Sequence, residues 1–131
     1  MGVLSYPIID CHCHVYPAKI AEKAIAGTNS FYEAEASGLD GTLETLLEEN
    51  RKAGIARSLI SSVATTGKQV HAANSFLSEC ARLHPESITA LGTLYPDSED
   101  QAADVEEAIA LNIHAIKLHP DIQRVWWFCR N

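Results

Sequence analysis

Basic residues are scarce in this sequence. Its 131 residues include ten Lys and Arg against 17 Asp and Glu, so the formal net charge is −7, and the basic residues form no run. A chain that binds nucleic acid through its surface carries a basic patch, so this composition argues against a nucleic-acid partner. The sequence also lacks an apolar stretch near the ~18 residues that a membrane-spanning helix needs, which argues against a membrane protein.

Targeting and cross-linking signals are missing as well. The N-terminus lacks the basic region and the long apolar core of a secretory signal peptide. Its sixth residue is Tyr6, where a myristoylation signal has Ser or Thr. We therefore expect a cytoplasmic protein whose four cysteines stay reduced. Because no Cys-x-x-Cys pair occurs, we expect no disulfide framework.

What remains is the composition of an ordinary globular domain. Hydrophobic residues make up 47% of the chain and charged residues 21%, and the length suits a single hydrophobic core. Segments with strand character alternate with segments of helical periodicity. The later strands are short and apolar on both faces, which is typical of parallel strands covered by helices. These patterns predict an α/β fold with a parallel sheet.

The element boundaries follow from periodicity and from breaking residues. Four strands are expected, at 6–15, 56–63, 88–95 and 113–118. Helices are expected at 18–26, 43–53 and 68–84, and a fourth from a capping box at Ser98 and Gln101 to about residue 111. Gly27 is expected to end the first helix and to leave residues 28–41 as a long polar loop that carries Phe31 and Tyr32.

The densest chemical signal is Asp10-Cys11-His12-Cys13-His14, at the end of the first predicted strand. Alternate residues share a strand face, so Asp10 and both histidines should point one way, and the two cysteines the other way, as small buried residues facing the helices. Imidazoles that start ~6.5 Å apart can converge on one ion at about 2.1 Å per bond.

We therefore predict that His12 and His14 hold one divalent metal. Zn²⁺ is the first choice for imidazole ligands, with Mn, Fe, Co or Ni as alternatives. Asp10 is the candidate group behind the ligands, where it would orient an imidazole or its loop. Two ordinary structural histidines are the competing interpretation.

The end of the fourth predicted strand supplies further candidates, in the run Ile116-Lys117-Leu118-His119-Pro120. Ligands gather at the carboxyl ends of parallel strands. Lys117 is a candidate catalytic group, either as a clamp for a substrate carboxylate or as a carboxylated metal bridge; the alternative is a lysine paired with a nearby acid. His119 is a candidate substrate contact or third metal ligand, and Tyr95, at the end of the third strand, is a candidate substrate contact.

The run IIDCHCHVYP resembles the first strand of the amidohydrolase superfamily, whose His-x-His pair binds a catalytic metal. The later runs ALGTLYPDSED and AIKLHPDIQ resemble the amidohydrolase-related branch, which includes metal-dependent hydrolases and aminocarboxymuconate-semialdehyde decarboxylase-like enzymes. The resemblance covers most of residues 6–124 and implies the parallel β/α units of a TIM-type (β/α)₈ barrel. His12 and His14 match the family's metal ligands, and Lys117 falls where some relatives carry a carboxylated lysine.

The chain departs from that family in length. The barrel typically has ~250 residues, whereas about four strands are expected here, which is half a barrel. The family's later histidines and its aspartate have no counterpart. We therefore expect residues 1–124 to form the N-terminal part of such a barrel, residues 125–131 an atypical aromatic tail, and the chain alone to turn over little substrate. Open sheet edges predict a homo-oligomer.

The resemblance implies one reaction class, and two alternatives stay open. The implied enzyme hydrolyses a C–N, C–O or C–C bond, or decarboxylates a small carboxylic acid, through metal-activated water or a metal-polarised substrate. The first alternative is a TatD-like metal-dependent nuclease, although Lys117 stands where an acid is expected and the net charge suits a polyanion poorly. The second is a non-catalytic fragment that assembles through its open sheet edges.

Overall fold

The computed structural model describes residues 6–35 and 38–124. Its elements are β1 (Ile8–His14), α1 (Ala18–Tyr32), α2 (Leu43–Ala53), β2 (Ile55–Ser61), α3 (Gly67–Leu83), β3 (Ile88–Leu91), α4 (Gln101–Ala110) and α5 (Pro120–Gln123). The strands form one parallel sheet in the order β1-β2-β3. The α/β class and the parallel pairing are confirmed. None of the helices in these ranges is long and apolar enough to cross a bilayer, and the predicted aromatic tail lies outside them.

Two helices cover one face of the sheet. Ile60 of β2 and Leu77 of α3 are fully buried there, together with Leu43, the first residue of α2. The amide of Asn50 in α2 donates a 2.8 Å hydrogen bond to the Ser58 hydroxyl, which keeps both buried polar groups paired. The core of the chain is therefore the layer between the sheet and α2 and α3.

The opposite face of the sheet is open in the part of the chain that the structure describes. Ile9 pairs with Arg57, the neighbour of the helix-facing Ser58, so Ile9 lies on this second face. Its side chain is 50% exposed. In a closed β/α barrel this face lines the interior. The three strands of the described residues do not close into a barrel.

The predicted fourth strand at 113–118 is wrong. The chain there meets the sheet in one parallel bridge, in which Gly92 donates to Ala115 O at 2.9 Å and accepts from Lys117 N at 2.8 Å. The ladder stops because the main-chain groups of the next residue, Thr93, bond to a side chain of α3. The Asn74 amide accepts from Thr93 N at 2.8 Å and donates to Thr93 O at 3.0 Å. The sheet therefore has three strands, and β3 is shorter than predicted for the same reason.

The predicted end of the first helix at Gly27 is also wrong, because α1 continues to Tyr32. Nothing lies within 4 Å of the place where a Cβ on Gly27 would stand, so no packing contact requires a glycine here. The glycine lowers the stability of the helix only through the conformational entropy that it loses on folding. The Thr28 hydroxyl donates to Ala24 O at 3.0 Å and so stays inside the helical turn. The helix ends at Glu33, which adopts the left-handed conformation with φ of 50°. Tyr32 therefore lies on a helix and not in a loop.

The remaining helix boundaries lie close to their predicted positions. α2 has the predicted bounds, with Thr42 accepting from Thr45 N as its N-cap and Gly54 ending it at φ 71°. α4 begins two residues later than the predicted capping box, because the Asp100 carboxylate accepts from Ala103 N at 2.9 Å. Asp100, and not Ser98, is therefore the N-cap of α4.

Candidate functional site

A bulge in β1 decides which way its side chains point. Asp10 pairs with Ser58 and Cys13 with Ile60, so three steps along β1 match two steps along β2. An extra residue of this kind breaks the alternation of faces. Asp10 therefore lies with Cys13 on the helix-covered side. The prediction that Asp10 shares a face with the two histidines is wrong, since a bulge is invisible to a strict period of two.

Asp10 fixes the main chain that carries the histidines. Its carboxylate accepts a 3.0 Å hydrogen bond from the backbone N–H of His12. This bond, followed by one from the Cys13 thiol, lowers the pKa of Asp10. Burial raises the pKa of Cys13 to about 11, so its thiol stays protonated and donates. Of the two supporting roles predicted for Asp10, the geometry matches the one that orients the loop. Cys11, predicted to be buried, is exposed.

The two histidine rings converge. His12 Nε2 lies 3.0 Å from His14 Nε2, and the ring centroids are 5.0 Å apart at an interplanar angle of 66°. Two nitrogens that bind one ion at about 2.1 Å are about 3.0 Å apart when the bonds meet at a right angle and about 3.4 Å apart in a tetrahedron. The pair therefore fits two adjacent positions of a metal's coordination shell. The Ser61 hydroxyl, 3.4 Å from His14 Nδ1, contacts the other nitrogen of that ring.

His14 is held in its neutral form. Burial lowers the pKa of His14, and the neighbouring His12, His119 and Lys117 lower it further, while a hydrogen bond with the Ser61 backbone acts in the opposite direction. Neutral imidazole is the form that ligates metals. His119 lines the same cleft as His12 and His14. Lys117 forms no ion pair with any residue that the structure describes.

A third metal ligand is not brought to this pair by the described residues. Within 6–35 and 38–124 no group of three or more His, Cys, Asp or Glu side chains is arranged to hold an ion. His119, predicted as a substrate contact or third ligand, instead bonds through Nε2 to the Tyr32 hydroxyl at 2.7 Å. A catalytic zinc normally has three protein ligands. The described residues therefore offer two candidate ligands, His12 and His14.

The pair opens into a cleft of about 910 Å³ between α1 and α3. Both helices present a stripe of residues spaced three or four apart, which is one helical face. The wall from α1 includes Ile20, Ala24 and Phe31, and the wall from α3 includes Ala72 and Phe76. The size and the mainly apolar walls suit a small organic molecule.

The charge of this cleft is opposite to that of the chain. Lys23 and Lys68 lie on its two walls, beside His12, His14 and His119, and none of the described residues that line it is Asp or Glu. Neither lysine has an ion-pair partner in the described ranges. A cleft with charges of one sign and apolar walls concentrates ligands of the other sign. This cleft therefore favours an anionic ligand.

His119 is anchored at the carboxyl end of the sheet. Its backbone N–H donates to Gln123 Oε1 at 2.8 Å, and Gln123 Nε2 donates to Ala64 O at 2.9 Å and Leu94 O at 2.8 Å. The buried Gln123 thus ties α5 to the ends of two strands. Tyr95 lies beside Gly67 at the start of α3 and is not among the described residues that line the cleft.

The sequence interpretation missed Tyr32, Lys23 and Lys68. Gly27 predicts a helix end that leaves Tyr32 in a loop, and isolated lysines carry no pattern. One signal was available: Ile20, Lys23, Gly27 and Phe31 follow helical spacing across that glycine. That spacing predicts the longer helix and one continuous wall.

Comparisons with known proteins agree with this architecture. No family model matches the chain, and no curated protein is similar enough to match. Among solved structures, a 4-oxalomesaconate hydratase from Rhodopseudomonas palustris is similar with a TM-score of 0.57 and 17% identity, over 88% of this chain and 42% of that one. A 5-carboxyvanillate decarboxylase from Novosphingobium aromaticivorans, solved with bound manganese, is similar with a TM-score of 0.62 and 16% identity, over 86% of this chain and 41% of that one. A putative amidohydrolase from Staphylococcus aureus is similar with a TM-score of 0.57 and 13% identity, over 85% of this chain and 36% of that one.

These similarities establish the fold. The chain shares the fold of part of each of these enzymes, as the sequence resemblance implies. It spans about two fifths of the length of the solved enzymes.

Proposed function

We propose that the chain carries the metal-binding part of an enzyme that acts on small carboxylic acids. The observation that carries this proposal is the pair of Nε2 atoms of His12 and His14, 3.0 Å apart, at the mouth of a cleft that favours anions. A divalent ion bound there would supply an activated water or polarise a substrate carboxyl or carbonyl group. Ser61 at His14 Nδ1 and Asp10 at the His12 backbone hold the two ligands in place.

The charged residues of the cleft bind and orient the substrate in this proposal. Lys23 and Lys68 attract the carboxylate from either wall. Lys117, whose charge lowers the pKa of His14, is a further candidate clamp. The apolar side chains of α1 and α3 exclude water around the rest of the molecule.

Two reaction classes fit this arrangement, nonoxidative decarboxylation and hydrolysis of a C–N, C–O or C–C bond. The solved enzymes of the same fold include decarboxylases, a hydratase and amidohydrolases, which supports both classes. Zn²⁺ is the metal that the histidine pair suggests first. Mn²⁺ is the second, supported by the decarboxylase that binds manganese and by a nitrogen separation that fits bonds at a right angle.

The described residues alone are proposed to be inactive. They supply two ligands, and the third ligand and the general base would come from residues outside the described ranges or from another chain. The same observation favours the second candidate function, a non-catalytic module that binds a metal weakly or not at all and assembles through its open sheet. A nuclease gains no support from the cleft, whose volume fits a small molecule.

Metal stoichiometry tests this proposal. We expect equilibrium dialysis against Zn²⁺ or Mn²⁺, read by elemental analysis, to give about one ion per chain, and His12→Ala and His14→Ala each to abolish it. His114→Ala is the matched control, because His114 is exposed and its Nε2 pairs with Asn112. Absence of bound metal in the wild-type chain, or its retention in both His→Ala variants, would refute the proposed metal site and leave the assembly module as the better candidate.

A further inference from the structure

A hydrogen bond between two residues that line the cleft joins Tyr32, on the last turn of α1, to His119. Tyr32 Oη lies 2.7 Å from His119 Nε2, and the two ring centroids are 6.0 Å apart. Phe31 braces the tyrosine ring edge-on at 4.9 Å. Both Tyr32 and His119 line the cleft, and 48% of the tyrosine remains exposed.

The hydrogen bonds of His119 fix the direction of this contact. Its Nδ1 accepts from the backbone N–H of Ile122 at 3.4 Å, as the N-cap of α5. A neutral imidazole whose Nδ1 accepts carries its proton on Nε2. His119 Nε2–H therefore donates to Tyr32 Oη, and the phenol oxygen is the acceptor. The phenol proton then remains available, because within the described residues Tyr32 makes no other hydrogen bond.

We propose that Tyr32 is a substrate-binding residue whose O–H points into the cleft and donates to the carboxylate of the ligand, with His119 as the positioning residue that sets this direction. This inference rests on the proposed function, because it takes the ligand to be a small carboxylic acid. A hydrogen bond to a charged group is worth more than one between neutral groups. The polarised phenol thus adds a directed donor to the diffuse charge of Lys23 and Lys68.

His119 allows a matched pair of substitutions. Asparagine places its amide oxygen near the position of Nδ1, so His119→Asn keeps the cap on Ile122 and removes the donor to Tyr32. Glutamine places its amide nitrogen near the position of Nε2, so His119→Gln keeps that donor. A purely structural role for the Tyr32–His119 bond does not predict that glutamine restores ligand affinity while asparagine lowers it.

Calorimetric titration of the full chain with benzoate and with uncharged benzyl alcohol tests the inference. Loss of one hydrogen bond to a carboxylate predicts benzoate binding weaker by roughly tenfold to a hundredfold in Tyr32→Phe, with a smaller effect on benzyl alcohol, whose neutral hydroxyl accepts a weaker hydrogen bond. His119→Asn should weaken benzoate binding in the same direction, and His119→Gln should restore most of it. Tyr6→Phe is the control, because Tyr6 is 80% exposed and does not line the cleft.

Metal stoichiometry and far-UV circular dichroism of each variant verify that the fold and the histidine pair are intact. The ¹³C shift of His119 Cδ2 provides a second readout, because it reports whether the ring proton is on Nε2. Benzoate affinity in Tyr32→Phe within twofold of the wild type would overturn this inference and leave the proposed function standing. A wild-type chain that binds its metal but not benzoate would overturn both the carboxylic acid substrate and the role of Tyr32.

Discussion

Asn74 holds the end of β3 through two main-chain hydrogen bonds, and its replacement should be costly. The Asn74 side chain is fully buried and pairs with both the N–H and the C=O of Thr93. In Asn74→Leu the amide is lost, while the N–H and C=O of Thr93 stay buried without a partner. Each buried group that loses its partner costs about 1–3 kcal/mol, so the free energy of unfolding should fall by about 2–6 kcal/mol.

The pair of Asn50 and Ser58 provides the matched control. It is also buried, and its 2.8 Å bond joins two side chains. Both partners can therefore be removed together, as Asn50→Leu with Ser58→Ala, without leaving an orphaned polar group. Replacing both partners of a hydrogen bond by apolar groups is often nearly neutral, so we expect a loss of roughly 1 kcal/mol or less.

The assay is urea unfolding followed by circular dichroism, with the stabilities compared at equal m-values. A domain of this size has about 5–15 kcal/mol of stability, so the Asn74 variant should be marginal. The effect should also reach the cleft. The Thr93 hydroxyl accepts from Ala64 N at 3.2 Å, and Ala64 O accepts from Gln123, the residue that anchors His119. A loss below about 1 kcal/mol for Asn74→Leu, or an equal loss in the double variant, would refute the reasoning.

Two further predictions concern the surface. At pH 8 iodoacetamide should modify the exposed Cys11 quickly, and Cys13 and Cys80 only on unfolding. Burial raises the pKa of each of these two buried thiols to about 11, so the reactive thiolate is scarce at pH 8. Peptide mapping that finds all three cysteines equally labelled in the native chain would contradict this. We also expect self-association at micromolar concentration through the open sheet face, weakened by Ile9→Lys because Ile9 lies on that face and is half exposed. Sedimentation that finds a well-folded wild-type monomer would exclude it.

Local chemistry accounts for the elements that could be predicted from the sequence. The bounds of α2 follow from an N-capping threonine and a glycine at the C-terminus, both within one turn of the helix. The convergence of His12 and His14 likewise needs only their spacing along one strand. The position of His119 in the same cleft as His12 and His14 agrees with the rule that parallel strands carry their ligands at the carboxyl edge.

The tertiary structure decided the features that depend on a distant partner. Asn74 ends the third strand and prevents a fourth ladder because a helix brings its amide to Thr93. The bulge between Asp10 and Cys13 depends on pairing with β2. The bond from His119 to Tyr32 joins residues 87 positions apart. Sequence patterns report the periodicity and capping of a single segment. Each of these features instead depends on an interaction between two segments, so only the folded chain determines it.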